Sequence, residues 1–210
     1  MRSIIYILGI SAFILACSGS LEEVEERNEL QNKLEQYTVL KGTDTKHGEY
    51  KRMTLDGELL ETAQFEDGLQ VGEQKIYENG ELYSIANFKN GQHHGLYQTF
   101  YRGGQVNVEG EYVDNVMTGK WKSYYPDGQI KEVVTFEDNE ENGPFVEFYP
   151  NGNVKAEGEY LDGDNEHGEL MLYDINGILI KKMMCDKGIC RTTWVKEGRE
   201  NFDVYRGEDG

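Results

Sequence analysis

Three kinds of side chain in this 210-residue chain could do chemistry: cysteine, histidine and carboxylate. Cys185 and Cys190, in CDKGIC, flank a short Lys-Gly turn and could close a disulfide across a terminal hairpin, a bond that an oxidising compartment would preserve. The other reading is a pair of reduced thiols. Zinc would need further ligands, and His167 is the histidine nearest to them in sequence. His47, His94 and His167 each precede a glycine of a periodic series. They belong to non-adjacent units, and at roughly 10 Å per two-strand unit they cannot share one ion. The acidic loops EDNEEN (137–142) and LDGDNEH (161–167) lack the ligand spacing and closing Glu of a calcium-binding EF-hand loop, so they are expected to be solvated. No serine sits on a strand-to-helix elbow. Gly103-Gly104 is followed by no helix that could hold a phosphate. Carboxylates are too abundant for any pair to stand out. The expectation is therefore no catalytic residue, no metal, no cofactor and no enzyme activity.

The formal net charge is −18, which argues against nucleic acid, because binding phosphates requires clustered Lys and Arg. The N-terminus has the layout of a targeting signal. Arg2 supplies a positive charge, and Ile4 to Phe13 is an apolar run too short to span a bilayer. It ends in Ile14-Leu15-Ala16-Cys17, which resembles a bacterial lipobox. That resemblance implies cleavage before Cys17, loss of residues 1–16 and lipidation of Cys17. The protein would then be held to a bacterial membrane by acyl chains, in the periplasm or at the cell surface. The alternative is an uncleaved anchor with a coincidental Cys. Residues 17–46 would form an acidic stalk, in which LEEVEERNELQNKLEQY (21–37) places Leu21, Val24, Leu30, Leu34 and Tyr37 partly at helical spacing. A short amphipathic helix is expected there, serving as a spacer or as a partner-binding element.

From residue 47 the chain repeats. One glycine recurs at Gly48, Gly72, Gly95, Gly119, Gly143 and Gly168, and a second at Gly57, Gly80, Gly104, Gly128, Gly152 and Gly177. An aliphatic follows the second glycine by two residues. An aromatic follows it by eight at Phe65, Phe88, Tyr112, Phe136 and Tyr160, with Cys185 in the last unit. Pro126-Asp127-Gly128, Asn79-Gly80, Asn151-Gly152 and Asn176-Gly177 are turn sequences between alternating runs, the pattern of a β-hairpin. A lone hairpin is marginal in water, whereas stacked ones can bury a shared row of rings. The fold expected is all-β: an elongated, open antiparallel meander of about six tandem hairpins over 47–190, some twelve strands, preceded by the short helix. Residues 191–210 would form a cap and tail.

The segments GLYQTFYRGGQV, GKWKSYYPDGQI and GPFVEFYPNGNV resemble the MORN repeat, in the variant form of the bacterial YwqK-like antitoxin family. The resemblance implies a protein-binding or membrane-associated scaffold. Two aromatic rows follow the repeat. Tyr77, Tyr101, Tyr125 and Tyr149 are expected to be the core ladder. A single-layer sheet cannot bury both faces, so Tyr97, Trp121 and Phe145 are expected to be an exposed, partner-binding stripe. The leading function is a non-enzymatic envelope lipoprotein that binds a protein. An antitoxin or immunity-like role, or a glycan- or peptidoglycan-binding role, is the alternative.

Overall fold

The computed structural model describes residues 20–199; Cys17, the signal segment and the tail beyond 199 lie outside them. Every regular element apart from one short turn is a β-strand. The chain divides into two compact units, one up to Gly104 and one from Gln105 on. The first contains β1 (Leu21–Asn28), β2 (Lys33–Leu40), β3 (Lys46–Met53), β4 (Leu59–Glu66), β5 (Leu69–Glu78), β6 (Glu81–Lys89) and β7 (Gln92–Phe100). The second contains β8 (Val106–Val113), β9 (Val116–Tyr124), β10 (Ile130–Glu137), β11 (Glu140–Phe148), β12 (Val154–Tyr160), β13 (Glu166–Tyr173), β14 (Leu179–Asp186) and β15 (Ile189–Val195). Within each unit successive strands pair antiparallel in chain order, giving an open meander.

The expected N-terminal helix is not formed. Residues 21–40 make the β1–β2 hairpin, in which Val24 faces Tyr37 and Glu26 faces Glu35. A single 3₁₀ turn, Glu29–Gln31, connects the strands. The Asn28 side chain accepts from the Gln31 N–H at 3.1 Å, and Asn32 takes a left-handed conformation with φ 49°. The helical spacing of the apolar residues loses to cross-strand pairing. Tyr37 lies beside Tyr50 of β3, a contact that a free helix could not make. Lys33 bonds to Glu35 at 2.7 Å.

Two kinds of loop join the strands. One is a tight two-residue turn with both central residues at positive φ: Asp67-Gly68, Asn79-Gly80, Asn90-Gly91, Asp114-Asn115, Asp138-Asn139 and Lys187-Gly188. These are the type I′ conformations that match strand twist. The other is longer. In 125–129 the Tyr125 N–H donates to the Gln129 carbonyl at 2.8 Å, and the Gly128 N–H donates to the Tyr125 carbonyl at 2.8 Å. Tyr149–Asn153 and Asp174–Ile178 repeat this closure. Asn151 and Asn176 are therefore not the left-handed residues of a two-residue turn. Asn151 instead reaches the Ile175 carbonyl at 2.7 Å through its side chain. Several first-series glycines bulge their strands, with φ of 101° at Gly95 and 107° at Gly143, where the register shifts.

Candidate functional site

The two faces of the sheet differ. On one face of the second unit, Trp121, Val134 and Phe145 sit opposite one another along β9, β10 and β11. This row is interior. Trp121 is 6% exposed and Phe145 only 1%. Val134 and Phe145 belong to one cluster with Ala156, Leu170, Leu172, Ile180 and Cys185, while the Trp121 ring meets Tyr112 edge-on at 5.2 Å. Phe145 stacks on Tyr160 at 4.1 Å. The expected exposed stripe of Tyr97, Trp121 and Phe145 is therefore corrected. Tyr97 is half-buried in the first unit, and the other two are core. The physical reason lies in their strand neighbours. Gly110 has no Cβ, and one built there would overlap the indole of Trp121; at Gly158 a Cβ would come within 3.1 Å of Phe145. Large rings on one strand lie over backbone on the next, so side chains of the sheet itself cover this face.

Nor do the other tyrosines form the core ladder. Tyr125 and Tyr149 close the long turns and are half-buried. The Tyr125 hydroxyl donates to the Phe148 carbonyl at 2.7 Å, and that of Tyr149 to the Tyr173 carbonyl at 2.9 Å. Each ties the turn of one hairpin to the strand end of the next.

The opposite face carries cross-strand polar pairs. Lys122 meets Glu109 at 3.4 Å, and Lys182 meets Glu169 at 3.2 Å. Tyr124 donates to Glu109 at 2.7 Å, and Tyr173 donates to Glu157; burial, then these carboxylates, pushes both phenols up to about 12.

A family model for the MORN repeat variant matches residues 70–90, 94–114, 117–138 and 141–162. Those four segments are similar to MORN-variant repeats. Each match covers two successive strands, so four MORN units are recognised where the sequence periodicity suggests about six. No curated protein matches the chain.

Outside the matched MORN units, β14 and β15 are joined by a disulfide between Cys185 and Cys190, which face each other across the hairpin with Cα atoms 4.0 Å apart. Cys185 is buried against the core, while the strands' other face is open. There Met184 is 53% exposed, Ile189 72% and Trp194 43%. Lys182 stands opposite Trp194, Arg191 opposite Met184 and Asp186 opposite Ile189, so charges of both signs border this apolar group. No expectation from the sequence pointed to this patch. Its signal is a local excess of Lys and Arg in KKMMCDKGICR next to exposed-face positions.

The histidines do not converge. The His47 Nδ1 accepts from the Asp67 N–H at 3.3 Å, and His167 lies 3.7 Å from the Asp186 carboxylate. His93 stacks on Phe88 at 4.3 Å, and burial lowers its proton affinity. Among the described residues no group of His, Cys, Asp and Glu is arranged to hold a metal ion. Glu132 faces Glu147 on the interior side; burial first, then Glu147 and Glu141, raises its carboxyl above the ordinary range. Among the described residues no helix is long and apolar enough to cross a membrane.

Proposed function

We propose that this chain is a non-enzymatic envelope lipoprotein, anchored through Cys17, that holds a protein partner on its repeat sheet. Membrane attachment rests on the apolar run and the Ile14-Leu15-Ala16-Cys17 site, and the scaffold role on the MORN units. The hairpins β3–β4 and β13–β14 keep the glycines at positive φ (Gly48 at 99°, Gly168 at 75°), and we count them as degenerate outer units, six in all.

The observation that carries this function is the exposed apolar patch of Met184, Ile189 and Trp194. Protein-binding surfaces centre on exposed aromatic and aliphatic anchors with a polar rim. Of the bordering cations, Lys182 pairs with Glu169 and Lys187 with Asp162, so the apolar anchors carry the recognition. The test is a crosslinking pull-down from native envelope with the wild type and a Met184→Ser, Ile189→Ser, Trp194→Ala variant. One protein captured by wild type and lost by the variant, with melting curves unchanged, supports the proposal. Equal capture by both forms removes this patch from the binding surface.

A further inference from the structure

Lys46 opens β3, two residues before Gly48 and across from Val39. Its ammonium lies 4.6 Å from the centre of the Tyr37 ring, 4.5 Å from Tyr50 and 5.3 Å from Phe65. The rings form a corner rather than a stack. Tyr37 and Tyr50 are 6.3 Å apart and tilted by 31°, while Phe65 meets Tyr50 at 5.8 Å and 66°. Three π faces within about 6 Å of one cation make an aromatic cage. Among the described residues Lys46 has no carboxylate at ion-pair distance, although the protein has 39 acidic residues.

We propose that the Tyr37–Tyr50–Phe65 corner is a binding site for a small quaternary ammonium ion, with Lys46 as its internal occupant. An ammonium has three N–H donors and does best where acceptors receive them. A corner that offers ring faces instead suits a cation whose charge is spread over methyl groups. Both tyrosine hydroxyls are directed away from the cation: Tyr37 donates to Glu26 at 3.1 Å, and Tyr50 donates to Glu35. Those bonds fix the rings face-on and add negative charge behind them. Burial alone would raise the Glu35 carboxyl, but hydrogen bonds from Lys33 and Tyr50 outweigh it and keep Glu35 ionised. Beside Tyr37 lies an open hollow of about 290 Å³, lined in part by Glu22, Glu26, Thr43 and Asp44, whose carboxylates attract a cation toward that ring.

The cage belongs to the first hairpins, outside the matched repeats. In later units the position of Lys46 is taken by Gln70, His93, Met117, Glu141 and Glu166, so none of them carries a second ammonium.

The test uses the full chain as Lys46→Ala and as Lys46→Ala with Phe65→Leu, titrated by calorimetry with choline, with phosphocholine and with 3,3-dimethylbutanol, the uncharged isostere of choline. The Lys46→Ala protein should bind choline roughly tenfold or more tightly than wild type and than the isostere binds, the size of one desolvated cation–π contact. Phosphocholine should bind more weakly, because the acidic approach repels its phosphate. Phe65→Leu should erase the gain. Equal affinity for choline and its isostere, or no choline binding by a Lys46→Ala protein that melts like wild type, overturns the proposal. Should Lys46→Ala unfold, Lys46→Thr, which suits a strand, is titrated with the same three compounds, and the same results support or overturn the site.

Discussion

In the first unit the buried positions among the described residues hold Leu34, Val39, Tyr50, Ala63, Ser84 and Ala86, which join into no large cluster, and Tyr50 bonds to Glu35 while Arg52 pairs with Glu61 at 2.9 Å. In the second unit the corresponding positions join into one apolar cluster of Val134, Phe145, Ala156, Leu170, Leu172, Ile180 and Cys185. The backbone plan is the same in both: paired antiparallel strands, bulged glycines and tight turns. What differs is the filling. Large rings over Gly110 and Gly158 exclude water and leave no group there for recognition. Tyrosines bound to carboxylates leave ring faces and charge beside a hollow. One repeat plan thus yields a stabilising unit and a unit with polar chemistry, because function lives in the side chains grafted onto a fold.

The sharpest way to break this comparison is to empty the second core. Phe145→Ala should cost about 3–5 kcal/mol by denaturant unfolding, as expected for a ring lost from a packed interior. Tyr97→Ala, at the same repeat position in the first unit but half-buried, should cost clearly less. Equal costs would mean that the two interiors are packed alike. Next in size is the covalent link. Replacing both Cys185 and Cys190 by Ala should lower stability by about 2 kcal/mol, the value for a very short closed loop. A wild type that melts identically with and without reductant would contradict it.

The smallest effect is electrostatic and has a definite sign. Glu132 has a raised carboxyl in the folded state, owing to burial and then Glu147 and Glu141. A raised acid favours the folded state when protonated. Its contribution is full below the ordinary carboxylate range near pH 4 and is lost as pH rises through the folded value. Glu132→Gln should therefore be more stable than wild type at neutral pH, with the difference shrinking toward about pH 4. Urea midpoints at both pH values check it, and a destabilised variant at neutral pH would reverse the assignment.

The repeat is legible in the sequence because its glycines are required by backbone geometry. Asp67-Gly68 and Asn90-Gly91 need positive φ, and few other residues tolerate that cheaply. The β1–β2 hairpin is not legible, because Leu21, Val24, Leu34 and Tyr37 satisfy helical spacing in part. Only the neighbouring Tyr50 decides for a strand. The burial of Trp121 and Phe145 escapes the pattern for a different reason. Alternation tells which residues share a face but not which face the sheet coils around. Gly110 and Gly158, mid-strand and against those rings, carry that information. Lys46 over three rings depends on pairing across β2, β3 and β4, so no local pattern announces it.

Which aromatics are interior is the central claim, and the chain's two tryptophans report on it directly. Trp121 is buried and Trp194 is open. In a Trp194→Phe variant the remaining indole should emit at short wavelength and resist quenching by acrylamide or iodide. An indole at position 121 that is quenched as readily as free tryptophan would contradict the claim, and would restore the row of Tyr97, Trp121 and Phe145 as an exposed surface.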